Sequence, residues 1–151
     1  MNRIVHISLK VEDVKRTGDF YQEVFGFRDA ETRKTRDHLS RHMTDGDIDF
    51  TLMKYDAGTQ SAESQAAGEG PCIHHFAVEV NDMAAAERQI RAFGCEIISD
   101  PGVIPVKFRA PGGTVCEIVP KLRYKKVKKA SPKAKAKPKS KAKARKGAKK
   151  K

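Results

Sequence analysis

Tryptophan is absent from this 151-residue chain, and its last 31 residues contain no aspartate or glutamate. Cysteine is scarce as well: Cys72, Cys95 and Cys116 are odd in number and form no C-x-x-C pair. That pattern excludes a disulfide framework and a zinc ribbon, and leaves buried free thiols in a reducing compartment as the expectation. No apolar run approaches the roughly 18 residues that a membrane helix needs. The chain enters a predicted strand at once, so a soluble, cytoplasmic protein without a membrane partner is expected. Neither a glycine-rich phosphate cradle nor a coenzyme fingerprint occurs.

What is present divides sharply by charge. The formal charge is +12, yet 17 of the 31 Lys and Arg residues lie in 121–151. Residues 1–120 therefore carry 14 basic and 19 acidic side chains, a net charge of −5. Beyond Leu122, Tyr124 and Val127 the tail has almost no large apolar residue. Its Lys/Ala/Pro/Ser composition cannot offset the entropy of ordering, so disorder is expected over 121–151. Such a tail suits non-specific nucleic acid, bound through phosphate neutralisation and without base reading. A solubilising extension is the alternative.

The first 120 residues suffice for one folded domain, and a repeated phrase organises them. His6-Ile-Ser-Leu-Lys-Val-Glu-Asp recurs as His75-Phe-Ala-Val-Glu-Val-Asn-Asp. In the first copy Val5, Ile7, Leu9 and Val11 alternate with Ile4, His6, Ser8 and Lys10, which is strand periodicity. Asp13 is placed to cap a helix over 14–25, with Val14, Thr17, Tyr21 and Val24 at helical spacing and Gly26 as its stop. Strands are expected at about 27–34, 37–44 and 47–55. The second copy repeats this order. After the strand opened by His75, Asn81 or Asp82 caps a helix with Met83, Ala86, Ile90 and Phe93 inward. Strands near 95–99, 103–109 and 114–119 follow. The prediction is an α+β fold of two βαβββ modules, about 1–56 and 71–120, joined by a linker at 57–70. Strand alternation sends His74 to the face opposite His75, so His74 is not expected to bind a metal.

The phrases at His6 and His75, Asp19-Phe-Tyr-Gln-Glu-Val-Phe-Gly-Phe and Ala110-Pro-Gly-Gly-Thr-Val-Cys-Glu-Ile together resemble the vicinal oxygen chelate superfamily. That group includes glyoxalase I, extradiol dioxygenases, methylmalonyl-CoA epimerase and bleomycin-resistance proteins. The resemblance covers residues 3–120 and implies curved mixed sheets around an open cavity. It further implies that His6, His75 and Glu117 ligate a divalent metal, with Asp49 or Thr51 in a fourth place. Iron, manganese, nickel, zinc and cobalt all suit two imidazoles and a carboxylate. A small substrate with two adjacent oxygens would chelate there, the metal acting as Lewis acid.

His38, Ser40 and His42 alternate on one strand face, and His42 is a candidate acid or base beside Glu117. Lys107 and Arg109 are candidates to grip an anionic substrate, and Tyr55 is a further polar candidate. The functional expectation is a metal-dependent glyoxalase-like isomerase or lyase, or an extradiol-type dioxygenase. The alternatives are a non-catalytic binding protein of the bleomycin-resistance type and a nucleic-acid-associated protein. Two modules in one chain are compatible with a monomer or a homodimer.

Overall fold

The computed structural model describes residues 1–128; the basic segment 129–151, with its expected disorder and nucleic-acid binding, lies outside the described residues. In chain order the elements are β1 (Arg3–Lys10), α1 (Val14–Phe25), β2 (Arg28–Lys34), β3 (His38–Thr44), β4 (Asp49–Tyr55), α2 (Ala62–Ala66), β5 (Cys72–Val80), α3 (Met83–Ala92), β6 (Glu96–Ile97), β7 (Val106–Arg109), β8 (Val115–Pro120) and α4 (Lys125–Lys128). The strands form one curved mixed sheet in the order β2-β3-β4-β1-β5-β8-β7-β6. β1 runs parallel to β4 and β5 parallel to β8, while β1 and β5 pair antiparallel at the centre. The fold is α+β, and its strand order is the same when read outward from either central strand.

Local chemistry explains the helices. The Asp13 carboxylate accepts from the Arg16 amide at 2.8 Å, and Asp82 does the same for Ala85 at 2.9 Å. Each satisfies an amide that the first helical turn leaves without a partner. Gly26 closes α1 in a left-handed conformation, φ 72°, which a side chain would resist. Two residues expected to face inward on helical spacing are instead exposed. Val24 lies on the outer side of α1, and Phe93 falls just after α3 has ended at Ala92.

Each helix covers one half of the sheet. Val14 of α1 packs with Met43, Phe50 and Leu52, flanked by Ile7, Leu9 and Tyr21. Met83, Ala86 and Ile90 of α3 pack against Val80, Val106 and Ile118. Val5 departs from the expected apolar row: it packs with Ala77, Val119 and Tyr124 rather than with Ile7 and Leu9. A register shift between Ile4 and His6 in the β1–β5 ladder accounts for this, because a bulge places an extra residue in the strand and breaks alternation.

The expected tail begins with an ordered stretch. Residues 121–124 turn, and α4 then packs over β2 and β3. Leu122 has a left-handed backbone, φ 65°, and its amide donates to Glu79 Oε2 at 2.8 Å. That hydrogen bond holds a conformation costly for a non-glycine residue.

Arg41 is buried on β3 beneath α1. Its guanidinium donates to Asp29 at 2.7 Å, to Asp19 at 3.0 Å, to the Lys15 carbonyl at 3.1 Å and to Gln22 at 3.2 Å. Gly18 gives it room, since a Cβ there would lie 2.2 Å from Arg41 Nη1. Gly18→Ala is therefore expected to lower stability by about 1–2 kcal/mol, even though alanine gains about 1 kcal/mol of helix propensity. Urea unfolding followed by circular dichroism measures the change, and a stability gain would show that Arg41 repacks freely.

Candidate metal centre

His6 on β1 lies opposite Ala77, and Ser8 opposite His75. The two histidines are thus diagonal neighbours across the central pair, within reach of each other. Their Nε2 atoms are 3.1 Å apart, and Glu117 Oε2, from β8 beside β5, is 3.6 Å from His75 Nε2. His6, His75 and Glu117 are all buried and form a group whose ligand atoms could hold one ion.

The surroundings fix how these rings are held. Asp49, on β4 directly beside His6, is fully buried and lies 2.6 Å from His6 Nδ1. A carboxylate only accepts, so the His6 Nδ1 hydrogen points at Asp49 and Nε2 faces His75. The same carboxylate accepts from His42 Nδ1 at 3.0 and 3.1 Å. Burial pushes the Asp49 pKa upward, but the hydrogen bonds from His42 and His6 outweigh it and hold the pKa at about 2. Asp49 thus stands behind His6 and His42 and outside the three-residue group. A carboxylate so placed would orient the His6 imidazole for a cation at Nε2. Thr51 Oγ1, 2.8 Å from His42 Nδ1 and 3.2 Å from Asp49 Oδ2, belongs to the same buried network.

His75 is backed differently. His74 shares its side of the sheet, contrary to strict alternation, because the β1–β5 register shifts between Ser8 and Leu9 and leaves His74 as the extra residue. The Nδ1 atoms of His74 and His75 are 2.6 Å apart, and Tyr55 Oη is 2.9 Å from His74 Nε2. Burial lowers the His74 pKa to about 4 and, together with the charge of His6, lowers that of His75 well below its usual value. Both imidazoles are therefore neutral at pH 7. Glu63, His74 and His75 form a second group of potential ligand atoms on that side.

These residues open onto a cavity of about 170 Å³. That is several times the roughly 30 Å³ that a water molecule occupies, and enough for a small molecule. His38, Ser40 and His42 line it, as does Tyr124. Tyr124 stacks on His6 with ring centroids 4.7 Å apart and planes 10° from parallel, and donates to Glu117 Oε1 at 2.9 Å. Burial and Glu117 push its pKa up, so the phenol keeps its proton. His42 Nε2 is buried without a hydrogen-bond partner.

The two expected anion-gripping cations separate. Lys107 lines the cavity but is engaged by Glu63 at 2.7 Å and Glu117 at 3.6 Å. Arg109 donates to the Gly113 carbonyl at 3.1 Å and to Glu96 at 3.4 Å and does not line the cavity. Arg33 and Arg123 do line it, and neither side chain makes a hydrogen bond or ion pair among the described residues.

The family model for the glyoxalase/bleomycin resistance protein/dioxygenase superfamily matches residues 3–113. The chain belongs to that superfamily. A lactoylglutathione lyase of Arabidopsis thaliana is 30% identical over an alignment of 129 positions that covers 78% of this chain and 40% of that relative. The chain thus spans about 40% of the length of this curated relative. Among solved structures, a hypothetical protein of Bacillus halodurans C-125 shares the fold with a TM-score of 0.67 at 18% identity, over 80% of this chain and 94% of its own. Methylmalonyl-CoA epimerase from Mycobacterium tuberculosis gives 0.62 at 17% identity, over 78% and 86%. No helix among the described residues is long and apolar enough to cross a membrane.

The donor set of the superfamily site fits a divalent cation. Asp49 turns His6 Nε2 inward, His75 is kept neutral, and a buried carboxylate adjoins them. Sequence reasoning did not single out Tyr124, although an isolated aromatic at the start of a Lys-rich segment was a visible signal. The His74–Tyr55 support was hidden by the bulge.

His74 also gives a pH dependence. Its folded pKa of about 4 lies below the ordinary 6.5, so between these values the unfolded chain binds a proton that the folded chain refuses. The His74 contribution to stability is full above about pH 6.5 and falls by about 3 kcal/mol as pH drops to 4. Urea unfolding in chelator across this range should show the loss, with a flatter profile in His74→Gln.

Proposed function

We propose that this protein is a metal-dependent isomerase or lyase of the glyoxalase type, moving a proton at a carbon next to a carbonyl in a small substrate. The observation that carries the reading is His42: a buried imidazole with a free Nε2, lining the same cavity as His6, His75 and Glu117. Its Nδ1 faces Asp49 and Thr51, which accept the ring hydrogen there, so that the neutral ring would offer Nε2 as the base. An imidazole held in this way by a carboxylate is arranged to take up a proton and return it. His6, His75 and Glu117 are the residues that would hold the metal, and a divalent ion so bound supplies a Lewis acid for a carbonyl oxygen and its neighbour. The half-buried Tyr124 ring covers His6 at that end of the cavity. Arg33 and Arg123 are placed to meet an anionic group on the substrate.

The test is turnover of the methylglyoxal–glutathione adduct and of methylmalonyl-CoA, with catechols in parallel, by protein loaded with each candidate metal. His42→Gln is expected to lower kcat by about 10²–10⁴-fold with metal content unchanged. His6→Ala is expected to lose the metal itself. Ring cleavage of a catechol without proton-transfer activity would favour the dioxygenase reading. Absence of metal affinity, with stability unaltered in His6→Ala, would favour a non-catalytic binding protein. For an anionic substrate, Arg33→Gln is expected to raise KM by about tenfold with little change in kcat, the sign of uniform binding loss.

A further inference from the structure

The family match ends at residue 113, and the first 120 residues complete the sheet. The segment that follows nevertheless reaches the centre of the site. After Pro120 the chain turns through Leu122, whose amide is anchored on Glu79, and then crosses toward the other half of the molecule, where α4 packs over β2 and β3. Between these two attachments Tyr124 points down into the cavity. Its ring lies flat on His6 and its hydroxyl donates to Glu117 Oε1. One side chain therefore touches a candidate ligand from each half of the sheet.

A carboxylate that faces a cation through one oxygen can rotate or swing away unless its second oxygen is held. Glu117 Oε2 is the atom nearer His75, at 3.6 Å, while Oε1 accepts from Tyr124. The flat stack on His6 likewise restricts the tilt of that imidazole, whose Nδ1 is already fixed by Asp49. Outer partners of this kind commonly change metal affinity by about 10–100-fold when removed.

We propose that residues 121–124 are a working part of the metal centre, with Tyr124 as a positioning residue that holds Glu117 and His6 in ligating geometry. This rests on the metal reading above, and the experiment separates the two. The full chain is titrated with cobalt(II), whose visible absorption reports coordination, in the wild type, Tyr124→Phe and His6→Ala. Tyr124→Phe keeps the stacked ring and removes only the hydrogen bond. It is expected to weaken cobalt binding by about tenfold or more and to alter the cobalt spectrum, while urea unfolding confirms that the variant is folded. Equal affinity and spectrum in Tyr124→Phe and the wild type would overturn the proposal. Equal affinity in His6→Ala and the wild type would overturn the metal site itself, and the proposal with it. A second measurement needs no variant to fold: zinc added to the wild type should produce a tyrosine difference spectrum, readable because the chain has three tyrosines and no tryptophan. A flat spectrum there would also count against Tyr124.

Discussion

Backbone pairing between β1 and β5 is the constraint on which the rest of this structure depends. Those two antiparallel strands join the halves of the sheet, and they carry His6 and His75. Hydrogen bonding in the ladder fixes the two imidazoles to within a few ångströms before any ligand is considered. The parallel neighbours then complete the arrangement from both sides, β4 bringing Asp49 and Thr51 and β8 bringing Glu117. Helices α1 and α3 bury the apolar residues of each half, leaving the polar residues to the cavity.

Irregularity in that central ladder is as informative as its regularity. Two register shifts occur in it, one beside Val5 and one beside His74. The first brings Val5 into contact with Ala77 and Tyr124, and the second brings His74 behind His75. Bulges of this kind re-aim side chains next to functional sites. Here they make room for an aromatic cover and a hydrogen-bonded support, neither of which a strictly alternating strand would allow.

Much of the architecture was legible in the residues. Cap chemistry at Asp13, Asp82 and Gly26 marks the helix ends, and the repeated histidine phrase marks the two central strands. The grouping of His6, His75 and Glu117 follows the order of the strands in the superfamily. The unread parts share a physical cause. Alternation rules count residues and so fail at a bulge, which is why His74 and Val5 changed faces. Composition averages over a segment and so hides a single anchored residue, which is why Tyr124 was merged with the lysines that follow it. Pairing of Lys107 with Glu63 depends on where the linker helix α2 docks, which strand periodicity does not encode.

The two halves support their histidines with different charges, and this has an electrostatic consequence. Behind His6 stands an ionised carboxylate, Asp49; behind His75 stand a neutral imidazole and a phenol. Glu117 adds a second buried carboxylate, while Lys107 and Glu63 compensate each other. Two carboxylate side chains, Asp49 and Glu117, are thus buried in the cavity floor, out of contact with water. Burying such a charge without a counter-ion is costly. A cation held between His6, His75 and Glu117 would offset part of that cost. The floor would thus draw a cation toward its two carboxylates before coordination geometry enters.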